Sequence, residues 1–259
     1  MTTFTSTGAV NQSITRVGRF EPFELQVSRG QISLHTALNL FGFTTALGST
    51  AYGPLWEGLT TAGGAYAYPS SAVVMVITSS SSSDTAVKIQ INGLDSGYNQ
   101  ISEIVSLNGT ANINTVNSYF RINSMVTTSG NAAGNITAIN GGVTYAKITA
   151  GNGNTQMTIY TVPAGYTFYQ TYLQGDSNTS VTSGAYVKIR TSVVDNAIGG
   201  VIINSQQSVF EQFFNIPLQF PVSYTEKQDI QWQLLGSGGA GALANIYIGG
   251  VLIKNDGSL

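Results

Sequence analysis

His35 is the single histidine in the chain, so it is the one side chain whose ordinary pKa suits proton exchange near pH 7. A catalytic histidine needs a nucleophile or an acid beside it, and a metal-binding one needs further ligands. The surrounding "QISLHTALNL" carries no such motif. His35 is therefore expected to be structural. Paired carboxylates are the next candidates, since a retaining glycosidase sets two of them about 5 Å apart. Glu21 and Glu24 flank Pro22, and Glu226 and Asp229 lie in "TEKQD", so both pairs read as solvated turn or edge residues. "LDSGYNQ" and "GNGNTQ" could offer oxygen atoms to calcium, but neither has the carboxylate spacing of a calcium loop, and both read as turns. "GSGGAGA" lacks the Lys and Ser/Thr of a phosphate loop. Tyr166, Tyr169 and Tyr172 share one stretch and are the one pointer to sugar stacking; strand chemistry explains tyrosines more simply. No catalytic residue, cofactor or metal site is expected, and the chain is not expected to be an enzyme.

The totals agree. Charged residues make up 8% of the 259, against roughly 25% in typical soluble proteins. Net charge is −2, and the ten basic residues form no cluster, so nucleic acid is not an expected partner. A partner would be met by shape and hydrogen bonds rather than charge. With 42% apolar residues, the composition is not that of a disordered chain. Cysteine is absent, which excludes disulfides and thiolate metal sites. The first twenty residues show no basic segment leading into an apolar one, so no secretory leader is expected. No apolar run approaches the 18 or so residues of a membrane helix; "AVVMVIT" is strand-sized.

The elements that would position these residues are mostly strands. Residues 1–30 read as an extended arm ending in a short strand, "FELQVS". In "SLHTALNLFG", Leu34, Ala37, Leu38 and Phe41 fall at i, i+3, i+4 and i+7, with Ser33 to cap and Gly42 to end, which predicts one short helix over 33–42. Residues 43–70 read as loop. Strands follow at 73–77 and 87–91, then a reversal through Asn92-Gly93 and "DSG", then strands at 101–107 and 119–126. "SSSSSD" is expected to be a flexible turn, and Asn140-Gly141 to turn a hairpin. Val162-Pro163-Ala164-Gly165 reads as a type I turn with Pro at its second position. "FFNIPLQFPVS", with two prolines, predicts an edge or bulged strand. "DIQWQLL" sends Ile230, Trp232 and Leu234 inward and Gln231 and Gln233 outward, and "NIYIGGVLIK" should bulge or turn at Gly249-Gly250. The expected fold class is all-β. It would comprise an arm (1–30), a first β-sandwich domain with the helix and loop (31–155), and a second, jelly-roll-like β domain (156–259). The joint falls in "AGNGNTQM", at 150–158.

"FELQVSRGQISLH", "YPSSAVVMVITSSSSSD", "VKIQINGLDSGYNQISEIVSLNGT", "SYFRINSMV" and "IYTVPAGYT…IPLQFP…KQDIQWQL" together resemble virion structural proteins of tailed bacteriophages, of the kind found in marine and cyanobacterial phages. The resemblance spans about residues 23–235 and is most specific over 87–126. It implies a part of the particle, located in the virion and assembled in the host cytoplasm. It brings no catalytic residues. A capsid decoration (cement) protein binding the major capsid protein is the leading expectation. A tail or head fibre or adhesin that binds a host glycan is the alternative, and a glycan-cleaving depolymerase a distant third. The implied partners are the major capsid protein or other virion proteins, with further copies of this chain. A homotrimer would suit the local threefold positions of an icosahedral shell. In the arm, Arg16, Arg19, Phe20, Phe23 and Leu25 combine aromatic and charged groups, and are expected to anchor the chain to a neighbouring subunit. The plainer alternative makes 20–28 the first strand of the protein's own sheet.

Overall fold

The computed structural model describes residues 21–58, 61–178, 186–209, 213–236 and 242–255, with side chains placed for all of these except 46 and 207–209. Among them the chain is all-β, with four antiparallel sheets and one short helix, α1 (Phe23–Ser28). The first sheet runs β1 (His35–Leu47), β16 (Ala242–Lys254), β11 (Tyr166–Ser177), β14 (Phe213–Tyr224). The second runs β10 (Ile159–Thr161), β15 (Gln228–Gly236), β12 (Val187–Asp195), β13 (Val201–Val209), with β2 (Gly53–Pro54) also on β15. The third runs β6 (Ile113–Tyr119), β3 (Val73–Ser79), β8 (Ile136–Asn140), β9 (Val143–Ile148). The fourth runs β5 (Gln100–Ser106), β4 (Lys88–Leu94), β7 (Arg121–Ser129).

Two apolar cores follow from strand alternation. Phe168, Leu173, Ile246 and Ile248 of the first sheet share a core with Ile189, Val193, Ile230, Trp232 and Leu234 of the second. Met75, Ile77, Ile136 and Ala138 of the third share another with Ile89, Ile91, Val105 and Met125 of the fourth. A smaller cluster of Trp56, Tyr66, Met157 and Ile159 is separate from both.

Several local expectations are corrected. The helix expected over 33–42 is strand β1, paired with β16 from His35↔Ile253 to Thr44↔Ala244. Its helical spacing is outweighed by tertiary pairing: Leu38 and Leu40 pack on the first core while Phe41 points outward. Conversely "FELQVS" is α1, entered at Pro22, with Glu24 in its first turn and Val27 buried. β1 and β2, expected within the first domain, pair with strands from the far end of the chain, β16 and β15. The Gly/Asn-rich joint is no free linker. Thr127 N–H donates to the Gly153 carbonyl (2.8 Å) and Thr155 N–H to that of Met125 (2.9 Å), and Thr158 is fully buried.

Turns shift as well. Asn92-Gly93 lies inside β4, and the reversal comes at Asp95–Asn99. Gly93 is there for close approach: a Cβ would sit 2.2 Å from the Arg121 carbonyl oxygen and 2.7 Å from the Tyr119 ring. "YFRINSMV" spans the end of β6 and the start of β7. The turn before β11 is one residue later than expected. Tyr166 N–H donates to the Pro163 carbonyl (3.2 Å), which puts Gly165, φ +74°, at the third position. The expected hairpin forms, with its turn one residue on: Asn140 pairs with Val143, and Gly141 and Gly142, with φ +56° and +80°, give the paired left-handed residues of a two-residue turn. β14 is an edge strand with a register break, as its prolines require.

The serine-rich turn is pinned rather than loose. Asp84, 2% exposed, accepts hydrogen bonds from the Ser79 hydroxyl (2.5 Å) and the amides of Ala133 (2.8 Å) and Gly134 (3.0 Å). Burial works to raise its pKa, and the three donors outweigh it, holding the carboxyl below its usual value. A depressed folded pKa contributes stability that is whole above the unfolded value of about 3.9 and is lost as pH falls through the folded one. Asp84→Ala should cost about 1.5–3 kcal/mol near neutral pH, and less below pH ~4. Urea midpoints across pH 2–7 read this; a penalty that persists undiminished at low pH would refute the carboxylate's part in it.

Candidate functional site

Most of the residues nominated for chemistry are taken up by the protein's own bonds. His35 Nδ1–H donates to the Ser33 carbonyl (2.8 Å), and the Phe23 ring meets the imidazole edge-on at 5.9 Å. Glu21 pairs with Arg29, and Glu226 accepts the Gly165 amide (2.6 Å). Asp95 Oδ1 accepts the amides of Gly97 and Asn99, both at 2.8 Å, and burial is outweighed by these donors and the Asn99 side chain, which lower the carboxyl's pKa. An oxygen so engaged has little capacity left for a cation. Among the described residues no cluster of three or more His, Asp or Glu could hold a metal. A chelator should therefore leave the melting temperature unchanged, and a fall of more than a few degrees would expose a cation site. "GSGGAGA" lies mostly outside the described residues.

The tyrosines divide. Tyr166 packs against the first core, whereas Tyr172 stacks on Tyr247 of β16, with centroids 5.6 Å apart. Phe41 pairs with Tyr247 across β1 and β16, so an aromatic row crosses the outer face of the first sheet. Of the arm residues, Phe23 and Leu25 lie on α1, 48% and 46% exposed; Arg16, Arg19 and Phe20 fall outside the described residues.

Among the described residues one Arg–Asp pair is deeply buried, and it was missed by sequence reasoning. Asp229, expected in a solvated turn, is 2% exposed, and Arg121 is 5% exposed. Arg121 Nε–H donates to Asp229 Oδ1 and Nη2–H to Oδ2, both at 2.9 Å, in a two-pronged pair. Nη1–H groups reach the carbonyls of Phe120 (2.8 Å) and Pro69 (3.2 Å). Asp229 also accepts hydrogen bonds from the Thr161 hydroxyl (2.5 Å) and the Asn196 side-chain Nδ2–H (2.8 Å). The guanidinium carbon lies 4.0 Å from the Phe120 ring centre and 4.6 Å from that of Tyr68. Burial lowers the Arg121 pKa, but the Asp229 bonds and charge more than compensate, and the group stays charged. Burial also pushes Tyr68 well above its ordinary value.

Perturbed groups in one cluster can mark a catalytic centre. Here both partners are enclosed, and four of the five Arg121 N–H groups and both Asp229 oxygens are engaged, so the cluster works as a clamp. Arg121 comes from β7 in the fourth sheet, and Asp229 from β15 in the second. Around it the Ala164 amide donates to the Tyr98 carbonyl (2.9 Å), and Asn123 exchanges two hydrogen bonds with the Thr161 backbone (2.9 and 3.0 Å). These bonds tie the two cores' sheets into one body.

The other distinctive region is open. β13 and β14 end the second and first sheets. Exposed apolar side chains gather on them and on the preceding turn: Ile198 (77%), Val201 (67%), Ile202 (44%), Ile203 (45%), Phe213 (57%) and Phe220 (79%). A cleft of about 60 Å³ opens between the two strands and their sheets, lined by Gln170, Leu173, Ile189, Asn204, Leu218 and Tyr224 among others.

No family model matches the chain, and no curated protein matches it. Solved structures of infectious bursal disease virus, Gt and Gx strains, are similar at 11% identity, each with a TM-score of 0.24. They span 87% and 86% of this chain and 74% and 72% of theirs. The T=1 particles derived from that virus give 11% identity, 86% and 70% coverage and a TM-score of 0.22. Among the described residues no helix is long and apolar enough to cross a membrane. Structural likeness this distant carries no argument, and the reading of this chain rests on its own residues.

Proposed function

We propose that the chain is a non-enzymatic structural protein of a virus particle. The observation that carries this reading is that the groups nominated for chemistry are spent on holding the fold. His35, Glu21, Asp95, Glu226 and Asp229 each bind the protein's own backbone or side chains. A charge-sparse body of two shared cores, clamped together, suits a load-bearing part. The resemblance to tailed-phage virion proteins adds the finer reading. In it the chain is a capsid decoration protein, each pair of sheets is a β-sandwich, and a homotrimer binds the outer shell through the major capsid protein. Quantitative mass spectrometry of purified particles tests it. Hundreds of copies per particle are expected for decoration, a few tens or fewer for a tail or vertex part. Absence from particles would defeat the reading.

A second reading, a fibre or adhesin domain, is favoured by the aromatic row of Phe41, Tyr247 and Tyr172. Sugar rings stack on such faces. Glycan-array binding lost on Tyr172→Ala would select it.

A further inference from the structure

We infer that the β13–β14 edge is where copies of this chain join one another. The inference rests on the structural-protein reading and names its contact surface. Three observations converge. First, the core is left uncovered there. Ile202 pairs with Val193, so both side chains point to the same face of the second sheet; Val193 is fully buried, while Ile202 is 44% exposed. The first sheet covers the former and stops short of the latter. Second, β13 and β14 are terminal strands of their sheets, so among the described residues each has one side of its backbone without a ladder partner. Such edges invite another strand unless charge, proline or a cover blocks them. Pro217 and Pro221 obstruct β14, and among the described residues nothing comparable protects Val201–Gln206 of β13.

Third, the surface is neutral. Neither Val201–Gln206 nor Phe213–Tyr224 carries an ionisable side chain apart from Tyr224, which is 1% exposed. A charged partner, such as nucleic acid or an acidic peptide, would find no counter-charge. An identical copy brings the same apolar side chains with no like charge to oppose them. Phe220 projects from the register break in β14, 79% exposed, beside a cleft with Leu173, Ile189 and Leu218 on its walls. An apolar side chain from the next copy, entering that cleft, would cover the open end of the core.

The test compares the full chain with Ile203→Asp and Phe220→Asp, by light scattering and sedimentation. Both side chains are exposed, so a new carboxylate costs the monomer little. The wild type is expected to sediment as a multiple of 27.2 kDa, and both variants as single chains with the wild-type melting profile. Ile104→Asp, on β5 and 60% exposed, is expected to stay associated. A monomeric wild type at every concentration, variants as associated as the wild type, or dissociation by Ile104→Asp would each overturn the inference. Should a variant fail to fold, hydrogen exchange on the wild type decides. Amides of 201–206 that gain protection with concentration support it, and amides indifferent to concentration refute it. Monomers found in hundreds of copies on particles would defeat this inference alone. Self-association without presence in particles would defeat the virion reading alone.

Discussion

Arg121→Met is expected to cost about 3–5 kcal/mol of folding stability, a large part of what a domain has. Removing one member of a buried pair leaves the other ionised without its partner, and that desolvated charge is the main loss. Asp229 would keep Thr161 and Asn196 but lose both guanidinium bonds. The carbonyls of Pro69 and Phe120 would lose a donor as well. The double variant Arg121→Met, Asp229→Leu should recover much of the loss, because apolar groups of similar volume can replace a buried pair at little net cost. Since the pair bridges the two cores' sheets, the single variant should also loosen their coupling. Urea unfolding monitored at Trp232, and separately by exchange of the third- and fourth-sheet amides, should show transitions that no longer coincide. A single variant within 1 kcal/mol of wild type would show that the pair is not a clamp.

Gln170→Leu is the second large effect, at about 2–4 kcal/mol. Gln170 is 3% exposed, and its Oε1 accepts both the Trp232 indole N–H (3.0 Å) and the Tyr224 hydroxyl (2.9 Å). Phe168, Tyr224 and Trp232 pack together around these bonds, with ring centres 5.9–6.3 Å apart. Burial pushes the Tyr224 hydroxyl up to about 12, so it remains a donor at any ordinary pH. Leucine would orphan the indole N–H and leave the Tyr224 hydroxyl with only Thr191 and Asn204 beside it. Adding Tyr224→Phe should recover part of the loss, because the hydroxyl that lost its Gln170 acceptor is then gone. If the double variant is no more stable than Gln170→Leu, the hydrogen-bond account is wrong and shape alone governs the site.

Much of the strand inventory was legible in the sequence. Val73–Ser79 reads as a strand from its short apolar run, Lys88–Leu94 and Gln228–Gly236 show the period of two that a pleated strand imposes (although Gln233, expected outward, is buried), and Gly141-Gly142 supply the left-handed residues their turn needs. Two prolines marked β14 as an edge, because proline lacks the amide a central strand must donate. The scarcity of charge, too, is a property of composition alone. These features are local, so neighbouring residues suffice to state them.

What the tertiary structure decided was set by partners distant in the chain. "HTALNLFG" fits a helix by spacing, yet β16 from the far end lies alongside it, and a continuous ladder outweighs a weak local preference. "FELQVS" has no strand partner and closes a turn of helix instead. Asp229 reads as a turn residue until Arg121 arrives from another sheet, when burial and pairing replace solvation. Gly93 reads as a turn glycine, but its missing Cβ is needed by the carbonyl of Arg121 and the ring of Tyr119. The open β13–β14 edge was equally invisible. Its residues have ordinary strand character, and their exposure follows only from where the first sheet ends, since burial is a property of the assembled layers and not of the residue.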